Sequence, residues 1–395
     1  MRFCKALTIT LSGDMVKNWE IAGEIAAGRS FPLLGPQASI NTTIKMGPVY
    51  YYLLAILYKI SFGNYKVAMI IFAVVNSLAI LLFYEIVKKF FGEKTALIAS
   101  FLFAVSKYAL EFGALPWNSF FIPLFIIFTF YALTLEKTFW KCLLFGLSTG
   151  ILFQLHQSTW LVLPVFVFAF VHSVIPTAPR DSRGKWRNPF SRMSIRKRDS
   201  SATARSAGWR TAFARNDSKK NGIPLAVFFF LLINLPYIAS EVNRGGATIK
   251  AIANVFNNLV IKQFNNCDFS FWLANHGHGE KCFQWIRNPL FILRFFSFSL
   301  LGTTNIWALL LIVLMLAYFV FKVKTPYKKF ILLWLFFPLP VLLIYNSSIF
   351  LHYFLMYFPL PFLITALLLK DITGKINLYK DKMSKVKSPK QNTKR

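Results

Sequence analysis

Asp14, Lys17, Glu20 and Glu24 lie close together near the start of the chain, directly after a short apolar stretch. A carboxylate there has two uses: it can take a proton from a reacting group, or it can hydrate the end of a helix. Glu20 and Glu24 are four residues apart, which puts them on one side of a helix. An amphipathic helix opening near Asp14 therefore turns both glutamates either to one cleft or to solvent. Lys17 and Lys45 have the matching pair of readings, as cations for a bound anion or as interfacial anchors. His352 beside Tyr353 reads as a site residue or a packing histidine, and His156–Gln157 as a polar turn. His276 and His278 have no third ligand at metal spacing, so no metal site is expected. Cys267 and Cys282 share one segment and can pair, whereas Cys4 and Cys142 read as inert buried thiols.

The elements that position these residues must be membrane helices. Hydrophobic residues make up 56% of the 395 residues and charged residues 15%, with 44 Phe against 15 Asp plus Glu. A soluble domain runs nearer a quarter charged, so a soluble enzyme and a disordered chain are both excluded. Apolar runs occur at about 66–87, 95–111, 119–135, 140–156, 159–176, 223–240, 303–321, 329–346 and 350–369. A span needs about 17–25 residues, so the shorter runs must draw on their flanks. They lack the alternation of a membrane barrel. The expected fold is all-α, a polytopic helical membrane protein with amphipathic helices on its outer face. Prolines 123, 164, 236, 338, 340, 359 and 361 lie inside these runs and kink several of them.

Charge orients the bundle. The net +30 would point to nucleic acid in a soluble protein, but here it marks cytoplasmic loops. Residues 177–222 carry 13 basic and 3 acidic residues, and 370–395 carry 9 and 2. Threading nine spans puts both segments, and the lysines at 88, 89, 94, 137, 141, 322, 324, 328 and 329, on one side. That side is cytoplasmic by the positive-inside rule. The tail 371–395 is then cytoplasmic, and residues 13–63 and 241–288 are outer loops. Residues 1–12 are too short to span and read as the stub of a first helix, or else as a re-entrant N-terminus. Residues 177–222 hold nine of the fifteen arginines and no apolar periodicity. They read as a disordered insertion, either without chemistry or serving anionic lipid or nucleic acid.

A resemblance appears in the outer loops. The order of helix end, Asp14, amphipathic helix, Gly/Pro turn and the YYYLL helix resembles the first outer loop of GT-C superfamily glycosyltransferases. The likeness is greatest to bacterial members similar to protein O-mannosyltransferases and aminoarabinose lipid A transferases. Asp14 matches the family's first acid, Lys17 its basic residue and Glu20 its later acid, with Met15 in place of the second acid. KMGPVYYY is similar to the Lys-Pro-Pro-aromatic segment, with Lys45 displaced by one residue and Gly47 replacing a proline. ALPWNSFFIPLF resembles the second outer loop, with Asn118 where many members carry an acid. LPYIASEVNRGG, holding Glu241 and Arg244, and IFLHYFLMYFPLPFL, holding His352 and Tyr353, are similar to later segments. The resemblance covers most of 13–370, apart from the basic insertion.

That resemblance implies a membrane glycosyltransferase of the bacterial inner membrane, without cofactor. The donor is a polyprenyl-phosphate-linked hexose or pentose, and the acceptor a lipid, glycan or protein hydroxyl. Asp14, poised by partial burial, is the expected general base, seconded by Glu20. Lys17, Lys45, Arg244 and Arg294 are candidates for the donor phosphate. Asn118, Glu241, His352 and Tyr353 are candidates for sugar or acceptor. No nucleic acid partner is expected. The competing class is a lipid-linked sugar flippase or transporter. Transporters tend to place charges at mid-membrane in broken helices, whereas here the midspans are almost free of charge. Topology is directly testable: single cysteines at Ser270 and Ser201 should label from opposite sides with an impermeant thiol reagent, and same-side labelling would overturn the assignment.

Overall fold

The computed structural model describes residues 6–11, 13–38, 41–174, 222–262, 284–325, 327–344 and 351–387. Residues 177–221 of the basic segment and Cys267 and Cys282 lie outside the described residues.

The described chain is helical apart from one small hairpin. Helix α1 (Asp14–Ala26) is followed by strands β1 (Gln37–Ala38) and β2 (Asn41–Lys45) and by α2 (Val49–Ile60). Then come α3 (Tyr65–Phe91), α4 (Glu93–Val105), α5 (Lys107–Phe112), a 3-10 turn at Asn118–Phe121, α6 (Ile122–Thr134) and α7 (Thr138–Leu155). A second 3-10 turn (Gln157–Leu161) leads into α8 (Leu163–Val174), and α9 (Gly222–Asn243) and α10 (Ala247–Lys262) follow. The remainder is α11 (Gln284–Leu301), α12 (Ile306–Phe321), α13 (Lys328–Phe336), α14 (Leu339–Ile344), a 3-10 turn (Leu351–Tyr357) and α15 (Leu360–Lys387). The protein is thus an all-α polytopic membrane protein, and the hairpin is a feature the apolar pattern did not disclose.

All nine apolar runs carry helix, but few are single uninterrupted spans. Among the described residues, α3, α7 and α9 are each long and apolar enough to cross a membrane alone. Two helix pairs reach that length and apolarity only when taken together, and they are bent, by 99° between α11 and α12 and by 56° between the 351–357 turn and α15. Local sequence sets these limits. Asn64 caps α3 by accepting from the Lys66 and Val67 amides at 3.0 and 3.4 Å, which satisfies two orphan donors of the first turn. Lys88 and Lys89 close its last turn, where cations suit the negative end of the helix dipole. Ser106 divides the 95–111 run into α4 and α5, and Pro338 and Pro340 divide 329–346 into α13 and α14.

The tightest helix pair is α7 on α9. In lipid, helices gain little from apolar burial against each other, so close packing of small residues carries the association. Gly146 and Gly150 on α7 supply that surface: a Cβ at Gly146 would sit 2.4 Å from the Ala226 carbonyl, and one at Gly150 would sit 2.3 Å from Ile233 Cγ2. Hydrogen bonds add to the fit, with Asn234 Nδ2 donating to the Gly150 carbonyl at 3.4 Å and Thr129 Oγ1 on α6 donating to Ser148 Oγ on α7 at 2.9 Å. Bonds of this kind contribute about 0.6 kcal/mol each in membrane bundles.

Among the described residues, basic positions gather at one end. Lys89 donates to the Thr134 carbonyl, Lys370 Nζ donates to the Phe91 carbonyl at 2.9 Å, and the Tyr318 hydroxyl donates to Asp371 at 2.8 Å. The two glycines of α7 give a test that separates rigid from yielding contact. Gly146→Ala meets backbone and should cost about 1–3 kcal/mol of stability, as overpacking does. Gly150→Ala meets side-chain atoms first, Ile233 Cγ2 at 2.3 Å and Asn234 Nδ2 at 2.8 Å, so its cost should be smaller. Thermal unfolding in detergent measures both, and a Gly146→Ala protein as stable as the parent would contradict the packing described.

Candidate functional site

At the end of the bundle away from those lysines, α1 opens at Gly13, whose φ of +52° is a conformation glycine adopts without steric penalty. Asp14 occupies the first helical position, and Lys17 and Asn18 follow at spacings of three and four, on the same side. Asn18 is buried and its amide faces the Tyr50 hydroxyl at 3.5 Å. These three residues form one wall of a cavity of about 240 Å3. The opposite wall comes from the α5–α6 connection (Trp117, Asn118, Ser119), the turn after α7 (His156, Gln157) and His352. The hairpin closes a third side with Gln37 and Lys45, and Tyr51 of α2 also lines the space.

Lys45 is fixed at three points. Its Nζ donates to Gln37 Oε1 at 3.1 Å, across the directly paired positions of β1 and β2. Its amide donates to Thr248 Oγ1 at 3.4 Å, and its carbonyl accepts from the Tyr237 hydroxyl at 3.0 Å. The last two contacts belong to a clamp on α9 and α10. Glu241 is ion-paired with Arg244 and accepts from the Thr248 amide at 3.0 Å and hydroxyl at 2.9 Å. Arg244 Nη2 reaches the Thr43 carbonyl of β2 at 2.8 Å.

The expected site residues therefore divide. Asp14, Lys17, Lys45, Asn118 and His352 share the cavity. Glu20 is exposed and off the cavity wall, and Glu24 is engaged by Arg29 at 2.7 Å, which holds its carboxyl below the usual range. Glu241 and Arg244 stand behind the hairpin as its clamp. Arg294 is exposed, its guanidinium 5.3 Å from the centre of the Phe291 ring, and does not line the cavity. Tyr353 is buried with its ring 4.7 Å from both His156 and His352. Asp14 differs from expectation in one respect: it is exposed rather than partly buried, because it stands at the very start of its helix. No group of three His, Cys, Asp or Glu suited to a metal occurs among the described residues.

Two side chains were undervalued in the sequence. His156 lies just past the end of α7, outside that span, and its Nδ1 accepts from the Ser158 amide at 3.2 Å with the Ser158 hydroxyl at 2.9 Å. Accepting there leaves the ring proton on Nε2. Burial, and then nearby His352, pushes its pKa down to about 3, so it is neutral. Tyr51 is pushed upward by burial and by the charge of Asp14, which keeps its hydroxyl protonated beside that carboxylate.

Residues 45–179 match the dolichyl-phosphate-mannose-protein mannosyltransferase family. The matched stretch includes Lys45, Asn118 and His156, while Asp14, Lys17 and His352 lie beyond it. That match covers about a third of the chain. No curated protein sequence matches it. Among solved structures, the apo form of the Archaeoglobus fulgidus oligosaccharyltransferase is similar, with TM-score 0.41 and 16% identity over 93% of this chain and 48% of that one. The chain thus spans about half the length of that protein.

The clamp can be tested without any assumption about activity. Arg244→Ala removes the tie to Thr43 and leaves Glu241 without its cation. Amide hydrogen exchange over residues 41–45 should then speed up about tenfold or more, the signature of cheaper local opening. The centre of α3 should exchange as before, and an unchanged hairpin would show that Arg244 does not hold it.

Proposed function

We propose that the protein moves a sugar from a polyprenyl-phosphate donor to an acceptor hydroxyl at the outer face of the membrane, with inversion at the anomeric carbon. The observation that carries this reading is the single cavity joining one carboxylate, Asp14, to two lysines, Lys17 and Lys45, among neutral amide groups. The family match supports the reaction class. The opposite end of the bundle, where the described basic residues gather, then faces the cytoplasm by the positive-inside rule, in a bacterial inner membrane.

The chemistry follows from what each group can do. The acceptor oxygen attacks the anomeric carbon from the face opposite the phosphate. Its new bond to carbon forms as the bond from carbon to the phosphate oxygen breaks, and the bonding electron pair leaves with the lipid phosphate. The hydroxyl proton passes to the Asp14 carboxylate as general base. Direct displacement of this kind inverts the centre and needs no second nucleophilic carboxylate. Charge accumulates on the departing phosphate, and Lys17 and Lys45 offer it charge-assisted hydrogen bonds. The tie between Lys45 Nζ and Gln37 holds the amine in place before the donor arrives. Glu20, Arg244 and Arg294 have no direct part in this reading.

The test is transfer from a radiolabelled polyprenyl-phosphate sugar in membranes holding the protein. Asp14→Asn keeps the size of the side chain but cannot take the proton, so turnover should fall about 10²–10⁴-fold with donor binding retained. Lys45→Ala should weaken donor binding instead, because the phosphate loses a charged partner. Glu20→Gln should be mild. Full transfer by Asp14→Asn together with loss in Glu20→Gln would reassign the base. Indifference to all three would favour transport over transfer.

A further inference from the structure

A second cavity, a partly open cleft of about 60 Å3, lies at the lysine end of the bundle. Its lining follows α3 from Phe83 to Phe91, about 12 Å at the helical rise of about 1.5 Å per residue. Phe130 of α6 and Trp334 of α13 also line it, with their rings 4.9 Å apart. Tyr327 stands at the lysine end, its ring 5.3 Å from both Phe90 and Phe91. On this measure one water needs about 10–15 Å3, but a cavity lined by apolar side chains stays dry. Hydrocarbon suits it better than water. Lysines stand at its mouth. Lys89 precedes the lining Phe90 and donates to the Thr134 carbonyl, next to the lining Leu133. Lys370 Nζ donates to the carbonyl of the lining Phe91 at 2.9 Å. Both are exposed. Lys328 and Lys329 flank the stripe of Tyr327, Phe330, Ile331 and Trp334 that α13 turns to the cleft.

We propose that this cleft is a binding site for an anionic phospholipid, with part of an acyl chain among Phe83, Phe130 and Trp334 and the phosphate on Lys89 and Lys370 at the mouth. An ammonium carries three donors, so the carbonyl that holds each lysine in place uses only one of them. The rest suit a phosphate oxygen, and such charge-assisted bonds are the strong ones. Lys328 and Lys329 add to the positive field. A basic pocket between membrane helices favours anionic head groups. A zwitterionic lipid offers the same chain and phosphate but brings an ammonium, which the lysines repel. Selection therefore falls on head-group charge. A polyprenyl phosphate shares the chain and the anion, but the lysines that suit a donor, Lys17 and Lys45, line the other cavity with Asp14. The lipid site and the proposed reaction occupy opposite ends of the bundle, so either can fail alone.

The experiment uses the full chain in mixed micelles and follows quenching of tryptophan fluorescence by phosphatidylglycerol brominated along its acyl chains. Trp334→Phe defines the share of the signal that belongs to the cleft. Trp334 is buried, so lipid that merely surrounds the protein quenches it little. In the parent protein that share should be quenched saturably. The affinity should exceed that for brominated phosphatidylcholine of the same chains by about tenfold or more, as two lysines beside one phosphate imply. Lys89→Ala with Lys370→Ala should cut that preference to about threefold or less. Quenching by phosphatidylcholine should be unchanged, which also shows that the variant is folded. Lys89→Arg with Lys370→Arg keeps both charges and should restore most of the preference. The proposal falls if the two lipids quench alike or if the alanine pair keeps the full preference. It falls equally if Trp334 shows no saturable quenching, since protein then fills the cleft. Displacement of the brominated lipid by undecaprenyl phosphate more strongly than by unlabelled phosphatidylglycerol would overturn it too, and would make the cleft a seat for the polyprenyl chain.

Discussion

The side-chain amide of Gln154 ties the segments around the cavity to the helix bundle. Its Nε2 donates to the Ile233 carbonyl on α9 at 2.9 Å, and its Oε1 accepts from the Val49 amide at 3.2 Å. The Val49 N–H opens α2 and has no partner within its own helix, so an outside acceptor is needed where water is excluded. One buried side chain thus answers a helix end on α2 and locks it to the tightest helix pair of the bundle, α7 on α9. The small-residue contact of Gly146 and Gly150 sets the distance between α7 and α9, and Gln154 passes that rigidity outward to the segment that follows Lys45.

Two constraints therefore meet at Lys45. From the side of α7, Gln154 fixes the chain just after it. From the α9–α10 side, Tyr237 and Thr248 hold its carbonyl and amide, and Arg244 ties the neighbouring Thr43. A lysine side chain is flexible and costs entropy to immobilise, so its usefulness as an anion ligand depends on how well its backbone is placed. The Glu241–Arg244 pair serves that placement. Asp14 is held differently, by the start of a helix packed along α2, so the two halves of the charged site reach the cavity through separate supports that share α2.

Much of this was legible in the sequence, for reasons that can be named. Apolar runs and the asymmetry of Lys and Arg are summed over many residues, and they located the helices and the basic end. Asp14, Lys17 and Lys45 were legible because charge is scarce in this chain and each stands beside a helix or turn signal. The hairpin was not legible: Gln37–Ala38 and Asn41–Lys45 are too short to show alternation, and their pairing is fixed by contacts to α9 and α10 far along the chain. His156 was obscured because a polar residue between two apolar runs looks the same whether it closes a turn or walls a cavity. Arg244 follows Glu241 by three residues, a spacing that favours an ion pair on a helix, and that local signal outweighed its likeness to a phosphate ligand. The breaks within spans were signalled by proline and serine, but whether a break bends a helix depends on neighbours that sequence alone does not supply.

Gly47 shows how packing selects a residue at a place where the resemblance to a Lys-Pro-Pro-aromatic segment implies proline. Here a Cβ on residue 47 would lie 2.1 Å from Gln154 Oε1 and 2.3 Å from its Cγ, so no side chain fits while Gln154 keeps both its hydrogen bonds. The same backbone is pressed from the other side, since a Cβ at Gly35 would lie 2.0 Å from the Gly47 carbonyl. Gly35 and Gly47 are thus two faces of a single close approach, in which the strand carrying Lys45 passes between the preceding loop and the Gln154 side chain. A proline stiffens such a segment through its own ring. In this chain the stiffness comes instead from the amide of Gln154, and glycine is what makes room for it.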